Sequence, residues 1–386
     1  MKKNIYLDYA ATTPVDPRVL KSMFPYFSLR FGNTASGHNL GREAAIILDR
    51  SRQEIADFIN AEKKEIYFTG SATESNNLVL KGIAFANRTK KNHLIVSEIE
   101  HDCILESSRW LQKQGFKITF LPVDRYGLVS LEDLEKAMTP QTALVSIIHG
   151  NNEIGTVQDI ASIGRLCRER KIYFHTDASQ SFGKISIDVR RDFIDLLTAS
   201  SHKIYGPKGA ALLFVRSGTA IEPILHGGGH ENRLRSSTVN LPAVVGFAKA
   251  VEILKKEGKE EDKRLTRLRD YLINAILKNI KGTHLNGHPK KRLNNNINIS
   301  FASVEGESLM IELDLHNILV STGSACSSNT LMPSHVLMAI GLKPEEAHGS
   351  LRISLGRFTK KSDLDYFIKI LPKIVDRLRQ ISPFKI

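Results

Sequence analysis

Cysteine is scarce in this chain of 386 residues. The three present, Cys103, Cys167 and Cys326, are an odd number and lie far apart, which excludes a disulfide-stapled framework. There is no Cys-x-x-Cys and no His-Glu-x-x-His, so no closed metal site is signalled either. No apolar run approaches the roughly 18 residues that a membrane span requires. The start, Met1-Lys-Lys-Asn-Ile-Tyr-Leu-Asp8, has no apolar core of a signal segment, so a cytoplasmic protein with no membrane partner is expected. Acidic residues are in deficit, 41 against 54 lysines and arginines, leaving a net charge of +13. Such a charge fits a nucleic-acid or acidic partner. The densest charged stretch, Lys255 to Arg269, nevertheless interleaves Glu257, Glu260, Glu261 and Asp262, the pattern of a solvated helical face, and direct nucleic-acid binding is not expected.

What is present is an alternation of strand and helix. Strand-like runs occur at Ile66–Thr69, Leu94–Val96, Ile118–Val123, Leu144–Ile148, Ile172–Phe174, Phe193–Leu197 and Ala210–Val215. Between them lie helical patterns, including Leu131–Met138 and Ile160–Arg170, and an amphipathic one over Glu43–Asn60 precedes them. This order predicts an α/β fold, a mostly parallel sheet covered by helices on both faces, with ligands gathered beyond the carboxyl ends of the strands. Leu241 to Leu277 reads as helical almost throughout, with an interruption near Gly258, and carries the crossing into a second domain. There, Ile297, Ile299 and Phe301 alternate with polar residues as a strand, and a helix follows over Glu307–His316.

The strand ends carry the chemistry. The run Thr198-Ala-Ser-Ser-His-Lys-Ile-Tyr-Gly-Pro-Lys208 presents Lys203 among Ser200, Ser201 and His202. A desolvated lysine can join an aldehyde cofactor such as pyridoxal phosphate, with neighbouring hydroxyl and imidazole groups on the phosphate; a surface loop lysine is the plain alternative. Gly70-Ser-Ala-Thr-Glu-Ser-Asn-Asn77 opens a helix with a capping box from Ser71 and Glu74, placing Ala72 and Thr73 where a phosphate binds at a helix N-terminus. An ordinary capped helix is the alternative. Asp177 is the candidate carboxylate for a pyridine nitrogen, Gln180 the donor to a phenolic oxygen, and His101 the ring-stacking proton carrier. Any one of them could be a core polar residue satisfied by backbone, but their shared position at successive strand ends favours the site. Cys326 sits in Ser321-Thr-Gly-Ser-Ala-Cys-Ser-Ser-Asn329, small and polar neighbours that suit a reactive thiol on a tether. Arg352, opposite the apolar face of Leu351, Ile353 and Leu355, suits a substrate carboxylate; an exposed surface arginine is the alternative.

Taken together, Tyr6-Leu-Asp-Tyr-Ala-Ala-Thr-Thr-Pro14, Gly70–Asn77, Asn151-Asn-Glu-Ile-Gly155, His175-Thr-Asp-Ala-Ser-Gln180, Ser201–Gly209 and Ser324-Ala-Cys-Ser-Ser328 resemble the cysteine desulfurases of the NifS and IscS type, over almost the whole chain. The resemblance implies a fold-type I pyridoxal phosphate transferase. Its large domain, residues 14–255, would hold a mainly parallel seven-stranded sheet; residues 1–13 and 256–386 would form a smaller α+β domain carrying the Cys326 loop, and two chains would pair as a homodimer. It also implies removal of sulfur from L-cysteine, giving L-alanine and a persulfide on Cys326, for an iron–sulfur scaffold protein and for tRNA thiolation. Lys203, Cys326 and His101 match the catalytic positions. Ala72, Thr73, Asn152, Asp177, Gln180, Ser200, His202 and Lys203 match cofactor positions, with Thr238 reaching the neighbouring subunit's cofactor. Asn152 and Arg352 match substrate contacts, and Cys326 the ligand that a transient iron–sulfur cluster shares with the scaffold. Thr34 stands where the family often has proline and Ser237 where it usually has glycine, and the ending at Ile386 puts scaffold docking through a longer tail in doubt. A selenocysteine lyase or an aminotransferase would share Lys203 and Asp177, and a non-catalytic sulfur carrier or RNA-binding protein would need neither.

Overall fold

The structure is a computed structural model that describes residues 4–322 and 333–382. The chain begins with β1 (Ile5–Tyr6), α1 (Pro17–Met23), α2 (Pro25–Ser28) and α3 (Asn39–Phe58). Strand and helix then alternate through β2 (Ile66–Thr69), α4 (Ala72–Asn87), β3 (His93–Ser97), α5 (Asp102–Lys113), β4 (Lys117–Leu121), α6 (Leu131–Ala137), β5 (Thr142–Ser146), α7 (Ile160–Glu169), β6 (Tyr173–Asp177), β7 (Leu196–Ser200) and β8 (Ala211–Val215). After them come α8 (Leu241–Asn279), β9 (Thr283–Leu285), β10 (Asn296–Phe301), α9 (Gly306–Leu315), β11 (Ile318–Leu319), α10 (His335–Ala339), α11 (Pro344–His348), β12 (Ser350–Ser354) and α12 (Lys361–Ile381).

The central sheet has seven strands in the order β2-β8-β7-β6-β5-β3-β4. All neighbours from β7 to β4 pair in parallel, and β8 alone runs against both β7 and β2. The expected mainly parallel α/β architecture is therefore present. A parallel strand is covered by helices on both faces and needs apolar residues at successive positions rather than alternate ones. Leu94-Ile-Val96 and Ala143-Leu-Val145 meet that requirement, with every side chain buried. Where the strands end, hydroxyl, carboxylate and imidazole side chains replace the apolar ones, at Ser200, at Asp177 and just past Ser97 at His101.

A second, three-stranded antiparallel sheet, β12-β10-β9, packs its apolar face on α12 and on the second half of α8. The helix α8 runs unbroken for 39 residues, so the expected interruption at Gly258 does not occur. Glycine costs only about 1 kcal/mol in a helix interior. Both flanks of α8 are held by packing: Ala243 to Leu254 lie in the core beneath the large sheet, and Leu265 to Ile276 in the core of the smaller one. The sequence reading named no helix over Asp102–Lys113 or Lys361–Ile381; both are strongly amphipathic and bury their apolar stripes.

The N-terminal segment ties the two sheets together. Ile5 and Tyr6 pair with Ile318 and Leu319 of β11, Ala10 N–H donates to Ser354 Oγ at 2.8 Å, and the Tyr9 ring packs against Gly356. A methyl group on Gly356 would land on that ring, closer than real Cβ contacts come. Gly356→Ala is therefore expected to destabilise the fold by about 1–3 kcal/mol through overpacking, read as a lower midpoint in urea with an unchanged slope.

Candidate functional site

Three chain segments converge at the carboxyl end of the large sheet. The first is the start of α4. Ser71 is extended and its Oγ accepts from Glu74 N–H at 3.1 Å, which leaves the N–H groups of Ala72 and Thr73 pointing out of the helix end. Glu74 does not return to Ser71 as a capping box requires. Its carboxylate accepts from Gly70 N–H at 2.8 Å and pairs with Arg235 Nε at 2.6 Å, because that guanidinium offers a stronger, charged donor.

The second is the turn after β7. Ser201–Lys203 form one turn of 3₁₀ helix, and Lys203 Nζ donates to the carbonyls of Ala10 at 2.6 Å and Ala11 at 2.7 Å. His202 Nδ1 lies 3.0 Å from Thr12 Oγ1. Burial, then the nearby Lys203 and Lys208, push the His202 pKa down to about 4, so its ring is neutral near pH 7.

The third set comes from the ends of β3 and β6. Asp177 is buried, its Oδ2 accepting from Asn76 Nδ2 at 2.7 Å and its Oδ1 from Ser179 N–H at 2.8 Å. Gln180 Nε2, expected on a phenolic oxygen, donates to Ala10 O at 2.8 Å. His101 caps α5: Cys103 N–H donates to its Nδ1 at 3.2 Å, so that nitrogen carries no proton while it caps. Any proton that His101 moves therefore travels through Nε2.

Ala72, Thr73, His101, Asn152, Asp177, Gln180, Ser200, His202, Lys203 and Arg352 line one cavity of about 430 Å³. Arg352 is not the exposed surface residue of the plain reading. It is 4% exposed, pairs with Asp8 at 3.0 Å, and reaches the carbonyl of Asn152. Thr238 is exposed and does not line this cavity, and Cys326 lies outside the described residues. Asp8, Asn76 and Cys103 were missed by sequence reasoning, although Asp8 and Asn76 stand inside the motifs that it singled out. A phosphorylated pyridine aldehyde fits the wall. The wall brings together the N-terminal end of α4, a buried carboxylate held by neutral donors, a lysine, and a buried Ser179 Oγ that has no hydrogen-bond partner among the described residues.

Residues 5–367 match the model of the family described as aminotransferase class-V. The chain belongs to the class-V aminotransferase family. Among curated relatives, cysteine desulfurase IscS of Dictyoglomus turgidum is 49% identical over 385 residues, covering 100% of this chain and 98% of the relative. Cysteine desulfurase IscS 1 of Archaeoglobus fulgidus is 50% identical over 378 residues, 98% of each. Among solved structures, a NifS-like protein superposes with a TM-score of 0.91 at 36% identity, over 97% of this chain and 100% of the other. A structure titled SspA in complex with cysteine has a TM-score of 0.82 at 40% identity, over 91% and 98%.

Three residues past the end of β3 lies a fully buried acid, Glu100. Its Oε1 accepts from Ser97 Oγ at 2.5 Å and from Ile148 N–H at 2.7 Å, but burial outweighs these bonds and pushes its pKa up to about 8. The folded chain thus holds a proton on Glu100 that the unfolded chain has lost above about pH 4.5, so this residue's contribution to stability declines as pH rises towards 8. Buried His149, His175 and His202, each lowered to about 4, act in the opposite sense only below their unfolded value of about 6.5. Between pH 6.5 and 8 the Glu100 contribution stands without that opposition. Glu100→Gln, which mimics the protonated acid, is expected to flatten the decline in stability over that interval in denaturant titrations. A slope equal to that of the parent would contradict the assignment.

Proposed function

We propose that this chain is a pyridoxal phosphate-dependent cysteine desulfurase that takes sulfur from L-cysteine, releases L-alanine and leaves a persulfide on Cys326. The observation that carries the reading is the convergence of Lys203, Asp177, the open end of α4 and the buried Arg352 on one cavity. The names of the relatives point the same way.

In this reading Ala72, Thr73, Ser200 and His202 hold the phosphate, and the neutral His202 ring can accept or donate without adding charge. Asp177 would meet the ring nitrogen, Gln180 and Asn152 would hold the ring's polar edge, and Lys203 would be the amine for the aldehyde. Pyridoxal phosphate, when bound, supplies the electron sink that makes the bonds of the substrate's α-carbon labile. Arg352 exchanges Asp8 for the carboxylate of L-cysteine, a swap between like partners that costs little charge separation. Lys203 Nζ takes the α proton and returns it. His101, with Nδ1 committed to its cap, moves protons at Nε2. The Cys326 thiolate attacks the substrate sulfur, forming the S–S bond as the C–S bond breaks, and the carbon fragment leaves as alanine after protonation.

Residues 14–255 form the large domain and residues 1–13 with 256–386 the smaller one, a division supported by the two apolar cores that meet along α8. The functional unit is a homodimer, with Thr238 serving the neighbouring subunit's cofactor. Support for pairing is the run of exposed large apolar side chains Phe24, Phe27, Leu29 and Phe31 in one segment of the chain. The persulfide goes to an iron–sulfur scaffold protein, where Cys326 transiently shares the cluster as cargo, and to tRNA thiolation. A cytoplasmic setting agrees with the lack, among the described residues, of any helix long and apolar enough to cross a membrane.

Alanine and sulfide release from L-cysteine under reducing conditions tests the reading. Lys203→Ala is expected to lose both products. Cys326→Ala is expected to keep the cofactor absorbance and to bind L-cysteine while transferring no sulfur; full transfer by this variant would refute the persulfide step. Arg352→Ala, losing a charged hydrogen bond to the substrate carboxylate, is expected to raise KM on the order of 10- to 100-fold, with a smaller change in kcat.

A further inference from the structure

The Asn76 side chain sits at the junction of the two groups that flank the cavity. It lies one turn into α4 and is fully buried. One Nδ2 hydrogen reaches Asp177 Oδ2 at 2.7 Å and the other points to Cys103 Sγ at 3.3 Å; Cys103 Sγ in turn is 3.2 Å from His101 Nδ1. Asn76 Oδ1 has no hydrogen-bond partner. Turning the amide over would set Oδ1 against the Asp177 carboxylate, two acceptors facing each other with no proton between them, so the orientation is fixed by that carboxylate. A buried amide that leaves its own oxygen unpaired in order to donate twice is arranged around its acceptors.

We propose that Asn76 is a positioning residue: it clamps the plane and direction of the Asp177 carboxylate and, through Cys103 Sγ, joins it to His101. The inference rests on the proposed cofactor dependence, since Asp177 acts there on the ring nitrogen. Among the described residues two donors hold Asp177, the backbone N–H of Ser179 on Oδ1 and Asn76 on Oδ2. Without Asn76 the carboxylate keeps one hinge-like contact and can rotate about it, and it then meets the ring nitrogen at a poorer angle. Cys103 contributes sulfur as an acceptor for the second N–H, which explains why a thiol stands one residue inside α5 beside the histidine cap.

The test is cofactor affinity, read by titrating the cofactor-free protein with pyridoxal phosphate and following its absorbance, on the parent chain, Asn76→Ala, Asn76→Leu, Asp177→Ala and the double variant Asn76→Ala with Asp177→Ala. Alanine leaves a void and leucine fills it, but both lack the donor. Both are expected to bind the cofactor on the order of tenfold more weakly and to shift its absorbance. In the Asp177→Ala background, Asn76→Ala is expected to add nothing further, because its only route of action has gone. Equal affinity in the parent chain and Asn76→Leu would overturn the proposal, as would additive losses in the double variant. A parent chain that takes up no pyridoxal phosphate would overturn the functional reading and this inference with it, whereas normal uptake with silent Asn76 variants would overturn the inference alone.

Discussion

The carbonyl of Ala10 is the point on which the site depends. It accepts from Lys203 Nζ at 2.6 Å and from Gln180 Nε2 at 2.8 Å, while the N–H of the same residue is held by Ser354 Oγ at 2.8 Å. One peptide segment thus binds the turn after β7, the loop after β6 and the end of β12. Buried backbone groups must find partners, and here those partners are the side chains expected to do chemistry. The cost of keeping a lysine near the cavity is therefore shared with the requirement to satisfy an N-terminal strand that has only one short pairing of its own. Small residues at Ala10 and Ala11 are what allow the lysine to reach two consecutive carbonyls.

The same economy recurs across the site. The His101 ring closes the first turn of α5 with Nδ1 and also lines the cavity. Arg352 satisfies Asp8 and reaches Asn152 while buried in β12, where an unpaired guanidinium would be prohibitive. At the start of α4 Ser71 Oγ caps Glu74 N–H, and the N–H groups of Ala72 and Thr73 stand at the helix end, beside the cavity. In each case a group that stabilises the local structure also lines the cavity.

Much of this was legible in the order of residues. The strands and the helices between them follow from apolar runs of strand length punctuated by amphipathic segments, and the parallel arrangement follows from their alternation. Polar residues at the ends of three strands mark the cavity, since in a parallel sheet all those ends face the same way. What was not legible was pairing between distant side chains. Gly258 looks like a break because glycine disfavours helices locally, yet α8 continues across it because both flanks are packed into cores made from other parts of the chain. Glu74 looks like half of a capping box until Arg235, 161 residues away, competes for it.

By itself the sequence determined the alternating α/β pattern, the placing of Lys203, Asp177 and His101 at or just past strand ends, and the isolation of Cys326 among small polar residues, because these depend on short-range periodicity and on residue type. Only the tertiary structure decided that Gln180 turns to Ala10, that Arg352 is buried against Asp8, and that Asn76 and Cys103 stand between Asp177 and His101. Those are contacts between residues up to 344 positions apart in the chain. Hydrogen-bond geometry is fixed within a few tenths of an ångström, a precision that only the closed packing of the sheet, its helices and the N-terminal segment imposes.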